Sequence, residues 1–536
     1  MITVFHIIVF GLSAVLIFGL LFLLYKQKDS GNQPNNHPNN QPNNQPNNQP
    51  NNHPNNQPNN QPNNQPNNQP NNQPNNQPNN QPNNQPNNQP NNHHSGISPP
   101  IVKIAANGRG MFPKIDYSNI KTLEDIAHRV EGSIPTKFKT FYQSYLTDQG
   151  DLIKFITNTA NNQDWSPDPS DLKNKIKNGE AYLTLQQIAY ILANFLLGNN
   201  IKQQTIVTRP VGSNKTFYSG GDSTFQLSSY FTAMYYWMQE KDLDSIIVCF
   251  AVITNTDSDK PPINPNGSST VSYKCLNSLA DYPVNTIRIA YGASNPGGSY
   301  LNDTDQGPSA QEESAFKMYP ELAVGMFILP NIAGDISTDP KKGWLVMGTR
   351  TYNELLPANS SITREIGKPK QINAFGILHN YKMATSGVLG ISARTCNGGQ
   401  GKKCNAGKGC GDCWRDDPND LNLLYGRAAP CFNINKWPKT LSKIANDWNL
   451  SETWKMLGGR WGSGAWGCNP SYSLMIQGLA ACNGNWRDLT LCGTSQETAG
   501  GKCVCQKSGI WDNNVYKQVY EALNKNFDSS LWNCLN

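Results

Sequence analysis

From Gln33 to Asn92 the chain is one tetrapeptide, Gln-Pro-Asn-Asn, repeated without a break, with His37 and His53 replacing two of the glutamines. Proline at every fourth position forbids a helix, and no side chain is apolar, so the stretch has nothing to bury. An extended, polyproline-rich, disordered spacer is expected over 29–111. It serves either as a tether or as a repeat expansion with little selected role. Any packed fold must lie on one side of it.

On the short side, Ile2 to Leu24 is almost wholly apolar, with His6 the one strongly polar side chain. About 20 helical residues span a bilayer's hydrocarbon core. No small-residue cleavage site appears in "FLLYKQKDS". Residues 1–28 are therefore expected to be an uncleaved single-pass transmembrane anchor, with the membrane as a partner through residues 2–24. Lys26 and Lys28 follow the run and no Lys or Arg precedes it, which favours a cytosolic location for the bulk of the chain.

All twelve tryptophans lie beyond residue 112, so the folded core is expected there. The formal net charge of +6 is modest and unclustered, and direct nucleic-acid binding is not expected. Eleven of the thirteen cysteines fall between Cys396 and Cys534, with Cys404, Cys410 and Cys413 in the glycine-rich "CNAGKGCGDC". No histidine lies beyond His379, so a zinc site here would have to be all-cysteine. Disulfides would imply an oxidising compartment, against the vote of the two lysines. Disulfides, zinc and free thiols all stay open, and so does the membrane orientation. No metal motif meets the standard of a catalytic site, and no cofactor is expected. His128 and His379 are the only histidines beyond the spacer and its flanking His93–His94 pair, which disfavours a serine or cysteine hydrolase.

"YLTLQQIAYILANFLLGNN" predicts a helix. Thr184 and Gln187 form a capping box, Leu185, Ile188, Ala189, Leu192 and Phe195 share an apolar face, and Gly198 ends it. "STFQLSSYFTAMYYWMQEK" predicts a second helix. "DSIIVCFAVIT" predicts a buried strand, with further strands at "TVSYKCL", "TIRIAYG", "WLVMGTR" and "QINAFGIL". Helices first, then strands interleaved with helices such as "QEESAFKMY", imply a helical subdomain packed on an α/β sheet. Ligands of such sheets bind at the carboxyl ends of the strands. Two glycine-rich loops have that character: "ASNPGGSYLNDTDQGPSAQEE" at 293–313, and "GGRWGSGAWGCNPS", which leads into an apolar helix from Asn469-Pro470.

Taken in order, these segments resemble the poly(ADP-ribose) glycohydrolase family. "LTLQQIAYILANFLL" is similar to the helix before its catalytic domain, and "TVSYKCL" to one of its strands. "PGG…QEE…YPEL" resembles its glycine and Gln-Glu-Glu signature. "WLVMGTRTYNE" and "INAFGILH" resemble two further strands, "GGRWGSGAWGCNPS" its diphosphate loop, and "NNVYKQVYEALNKN" its closing helix. The resemblance implies a macrodomain-like three-layer α/β/α sandwich. It would comprise a helical accessory subdomain at 112–240 and a catalytic domain at 241–536, with a cysteine-rich insertion at about 383–456. It implies poly(ADP-ribose) or ADP-ribose as the partner and cleavage of ribose–ribose bonds. Glu313 would be the general acid/base, with Glu312 holding a ribose hydroxyl. Gln311 completes the signature, and Gly297 and Gly298 would let the backbone approach the ligand. Gly462, Gly464 and Gly467 would cradle the diphosphate beside Trp461 and Trp466, and Tyr352 would lie near the adenine.

The chain also departs from the pattern. Ser299 stands for the third signature glycine, eleven residues separate it from Gln311, and Arg460 replaces the usual Asn before Trp461. The strand before the glycines offers Ile289 and Gly292 where the family has a ligand-contacting Asp or Asn. Three functions remain compatible: a divergent hydrolase, a non-hydrolysing ADP-ribose-binding macrodomain, and a structural surface or envelope protein reusing the scaffold.

Overall fold

In a computed structural model of the chain, the described residues are 100–106, 108, 110–131, 134, 136–199, 223–255, 270–275, 284–292, 296–297, 311–330, 341–356, 365–371, 374–392, 420–459 and 470–493; at several element ends, 311–314 among them, only the backbone is described. The expected anchor and spacer lie outside them. Among the described residues no helix is long and apolar enough to cross a membrane.

The helical segment opens with α1 (Leu123–Glu131), α2 (Thr136–Tyr145), α3 (Gln149–Asn161) and α4 (Pro169–Lys177). A strand the sequence reading did not anticipate follows, β1 (Glu180–Thr184), and then α5 (Leu185–Leu196) and α6 (Ser223–Gln239). At the start of α5 the Thr184 hydroxyl accepts the Gln187 N–H and the Gln187 side chain accepts the Thr184 N–H, so the capping box is formed.

Next come β2 (Ile246–Asn255), β3 (Thr270–Cys275), β4 (Thr286–Gly292), α7 (Gln311–Met318), α8 (Pro320–Ile328), β5 (Lys341–Met347), β6 (Asn353–Leu356) and β7 (Glu365–Pro369). They are followed by β8 (Phe375–Leu378), β9 (Tyr381–Ala384), β10 (Ser386–Ser392), α9 (Asp420–Phe432), α10 (Lys439–Asp447), α11 (Leu450–Thr453), β11 (Lys455–Gly458), α12 (Pro470–Asn483) and β12 (Asp488–Gly493).

One ten-stranded sheet has the order β3-β12-β11-β4-β10-β5-β2-β9-β8, with β1 also paired to β2; β6 and β7 form a separate hairpin. From β3 to β10 every neighbouring pair is parallel. β5 runs against both β10 and β2.

The sheet is covered on both faces, and the period-two alternation of the strands divides the core. Ile246, Val248, Phe250, Ala290, Trp344, Val346 and Val388 pack with α1–α8. Their neighbours Ile247, Cys249, Ala251, Ile287, Ile289, Leu345 and Leu389 pack with α9, α10 and α12. This is why β2 reads as an unbroken apolar run: both of its faces are buried. The arrangement is mixed α/β with helices on both sides of a central sheet.

Two of the expected segments contribute strands to the sheet. β1 lies within the segment expected to be a helical accessory unit, yet it pairs with β2 from Glu180↔Ala251 to Thr184↔Ile247. The expected insertion at about 383–456 contains β10, a central strand flanked by β4 and β5, and α9, whose Ala428, Ala429 and Phe432 are buried against the sheet. The apolar run "GVLGIS" within it belongs to the sheet. The cysteines Cys396, Cys404, Cys410 and Cys413 lie outside the described residues. Cys249 and Cys431 are buried free thiols, and Cys482 is disulfide-bonded.

Candidate active site

The neighbouring parallel strands β4 and β11 are in register from Thr286↔Lys455 to Arg288↔Leu457, so their carboxyl ends lie at the same edge of the sheet. The connection from β4 leads to α7 and α8, which pack on one face. The connection from β11 leads to α12, which packs on the other. Adjacent strands whose connections leave to opposite faces form a topological switch point, the place where an open α/β sheet has its ligand crevice. Both glycine-rich segments singled out in the sequence emerge there.

α7 runs back along β4. The Phe316 ring lies 5.6 Å from that of Trp344, a residue level with Gly390 and so with Ala290. Tyr319, just past the helix, lies 6.0 Å from the guanidinium of Arg288, nearer the strand's beginning. The first turn of α7, with Gln311, Glu312 and Glu313, is therefore directed toward the crevice end. The side chains of these three residues lie outside the described residues. α6 holds the far end of the helix: the Tyr230 hydroxyl donates to the Phe316 carbonyl at 2.8 Å and the Ser229 hydroxyl to the Met318 carbonyl at 2.9 Å. Carbonyls in the last turn of a helix have no partner within it, and these two are satisfied by the helix alongside.

Gly297 is brought to the same end, in a turn five residues past β4. Its φ is +87°, and a Cβ there would meet Met326 Sδ of α8 at 2.7 Å and the Phe316 ring at 3.7 Å. The turn thus rests directly on the helix pair that carries the carboxylates, which only glycine permits. Gly298 lies outside the described residues, as do Trp461, Gly462, Gly464, Trp466 and Gly467.

Tyr352 is not brought to this edge. β5 is antiparallel to β10, so Met347 pairs with Gly387 near the amino-terminal ends of β10 and β4, and Tyr352 follows beyond. Its side chain is 1% exposed. Its hydroxyl donates to Glu321 Oε1 in α8 and accepts from Trp237 Nε1 at 2.8 Å. Arg350 completes this buried group through Nε to Glu321 Oε1 at 3.3 Å and its backbone N–H to Glu321 Oε2 at 3.3 Å. Burial pushes the Glu321 carboxyl above the usual carboxylate range, against the pull of the Arg350 charge and the Tyr352 hydroxyl. Among the described residues the Arg350 Nη1 and Nη2 atoms have no hydrogen-bond partner, and the guanidinium lies 5.2 and 5.4 Å from the ring centres of Tyr352 and Phe375.

Ile289 is fully buried on the α12 side of the sheet. The next residue on that side, Tyr291, is half-buried, and its hydroxyl accepts the Gly459 N–H at 2.8 Å and bonds Gln477 Oε1 in α12. Sequence reasoning missed Gln477. Its signal is a single polar residue in the otherwise apolar "LMIQGLAAC". Among the described residues no group of three or more His, Cys, Asp or Glu could hold a metal ion.

No protein-family model and no curated protein matches this chain. Among solved structures, the poly(ADP-ribose) glycohydrolase of Thermomonospora curvata is 16% identical, covers 48% of this chain and 78% of its own, and has a TM-score of 0.25. The poly(ADP-ribose) glycohydrolase of Deinococcus radiodurans, in complex with ADP-ribose, is 11% identical over 49% of this chain and 87% of its own, also at a TM-score of 0.25. A likeness with so low a TM-score does not bear on activity.

Proposed function

We propose that this chain is a hydrolase of poly(ADP-ribose), cleaving ribose–ribose bonds in the crevice between the ends of β4 and β11. One observation carries the reading. Two glycine-rich connections leave neighbouring parallel strands for opposite faces, and a helix whose first turn is Gln-Glu-Glu is directed to the same edge. The order of motifs resembling the glycohydrolase family supports the substrate.

The chemistry asks for such a carboxylate. An acetal breaks through an oxocarbenium-like transition state, so the leaving oxygen needs a proton as the bond parts, and the attacking water must then lose one. Glu313 would supply the first and accept the second, returning to its starting state. Glu312 would fix a ribose hydroxyl and so orient the scissile bond. By the resemblance, the glycine-rich segment ahead of the α12 N-terminus would hold the diphosphate.

A second reading is a binder without turnover, favoured by Ile289 and Gly292 standing where the family has its polar ligand contact. The two are separated by titrating ADP-ribose into the purified protein by calorimetry and following ADP-ribose release from the polymer in parallel. Binding with release supports the hydrolase, and binding without release supports the binder. Neither in folded protein refutes both.

A further inference from the structure

Pro320 opens α8 and has no amide hydrogen. The Phe316 carbonyl, in the last turn of α7, therefore lacks the N–H that a continuing helix would bring to it. α6 supplies a replacement. The Tyr230 hydroxyl donates to that carbonyl at 2.8 Å, and the neighbouring Ser229 hydroxyl donates to the Met318 carbonyl at 2.9 Å. Tyr230 and Ser229 are 0% and 2% exposed, among the core residues Leu227, Phe231 and Met234 of the same helix. Phenylalanine and alanine at these two positions would serve the packing without two buried hydroxyls to satisfy.

What the hydroxyls add is direction. Apolar contact is non-directional, so Ala315 and Phe316 in the core hold α7 against the sheet but do not fix it along its axis. Helix carbonyls point along the axis toward the C-terminal end, and a donor placed there does fix it. A slide of one residue's rise, about 1.5 Å, would carry a 2.8 Å bond beyond hydrogen-bonding distance. α6 is itself fixed: Thr232 Oγ1 accepts from Asn353 Nδ2 at 3.2 Å, and Trp237 Nε1 donates to the Tyr352 hydroxyl at 2.8 Å. The first turn of α7 lies about one helical turn beyond Phe316 and moves with it.

We propose that Tyr230 and Ser229 are positioning residues for the chemical step. Through the backbone of α7 they set how far its first turn reaches toward the crevice. The inference rests on the reading of Glu313 as general acid/base. Both hydroxyls sit at the end of α7 away from the crevice and touch neither ligand nor reacting atoms, so the effect falls on kcat and not on affinity. A displacement of about 1 Å is enough to slow a step that depends on a near-attack geometry.

The test uses the full chain with Tyr230→Phe and Ser229→Ala, singly and together, each also placed in the Glu313→Gln background. ADP-ribose release from the polymer gives kcat, and calorimetry with ADP-ribose gives both Kd and the number of competent sites, so that kcat is expressed per binding site. The double variant is expected to lose about tenfold or more in kcat per site, with Kd within about twofold of wild type. In the Glu313→Gln background the same substitutions are expected to change the residual rate by less than about twofold, because the group they position is already gone. A merely structural role would lower Tm and the number of sites and leave kcat per site in place, which overturns the inference alone. An equal fall in both backgrounds also overturns it, since the effect then does not pass through Glu313. A folded wild type without turnover overturns the proposed function, and the inference falls with it.

Discussion

Glu321 is buried against the charge of Arg350, which lies 29 residues along the chain in a segment beyond β5. Removing one member of such a pair leaves the other uncompensated, at a cost of about 3–5 kcal/mol. Glu321→Ala is expected to lose that much stability in urea unfolding. The double variant Glu321→Leu with Arg350→Met is expected to recover most of it, because matched apolar side chains are tolerated where a lone charge is not. A double variant no more stable than the single one would count against the pair. The Pro-Glu-Leu motif marked Glu321 in the sequence, but its role was not legible, since a long-range partner leaves no trace in local pattern. Tyr352 was hidden for a related reason. Its type suits an adenine contact, but which end of the sheet it reaches depends on the antiparallel course of β5, which no periodicity reveals.

Where local physics decides, the sequence was readable. The capping box at Thr184–Gln187, the apolar run of β2 and the start of α12 at Pro470 all follow from short-range rules, and the structure has each of them. Thr184→Ala is expected to lower stability by about 1 kcal/mol, read as a shift in thermal unfolding. β1 was missed because its five residues sit directly before a strong helix signal, and pairing with β2 outweighs that signal. The turn at Gly297 belongs to the same scale. With φ at +87° and Met326 Sδ in the path of any Cβ, Gly297→Ala is expected to lose about 1–3 kcal/mol. It is also expected to weaken ADP-ribose binding, because the turn must lift away from α8. Unchanged unfolding and unchanged affinity in Gly297→Ala would show that this close approach is dispensable.

The two faces of the sheet were foreseeable from alternating helix and strand signals, whereas the order of the strands within it was not, because local pattern does not tell which strands pair. At this scale the N-terminal run from Ile2 to Leu24 is expected to hold the protein in the membrane fraction through an alkaline carbonate wash. A chain starting at Ser95 is expected to be soluble, and full-length protein in the soluble fraction would rule the anchor out. The central claim is that the crevice between β4 and β11 hydrolyses poly(ADP-ribose) through the carboxylate at the start of α7. The most direct measurement is ADP-ribose release from the polymer by wild type and Glu313→Gln, with ADP-ribose affinity measured on the same samples. The account predicts turnover in wild type, a loss of about 10²–10⁴-fold in Glu313→Gln, and closely similar affinity. Turnover that survives in Glu313→Gln would contradict it.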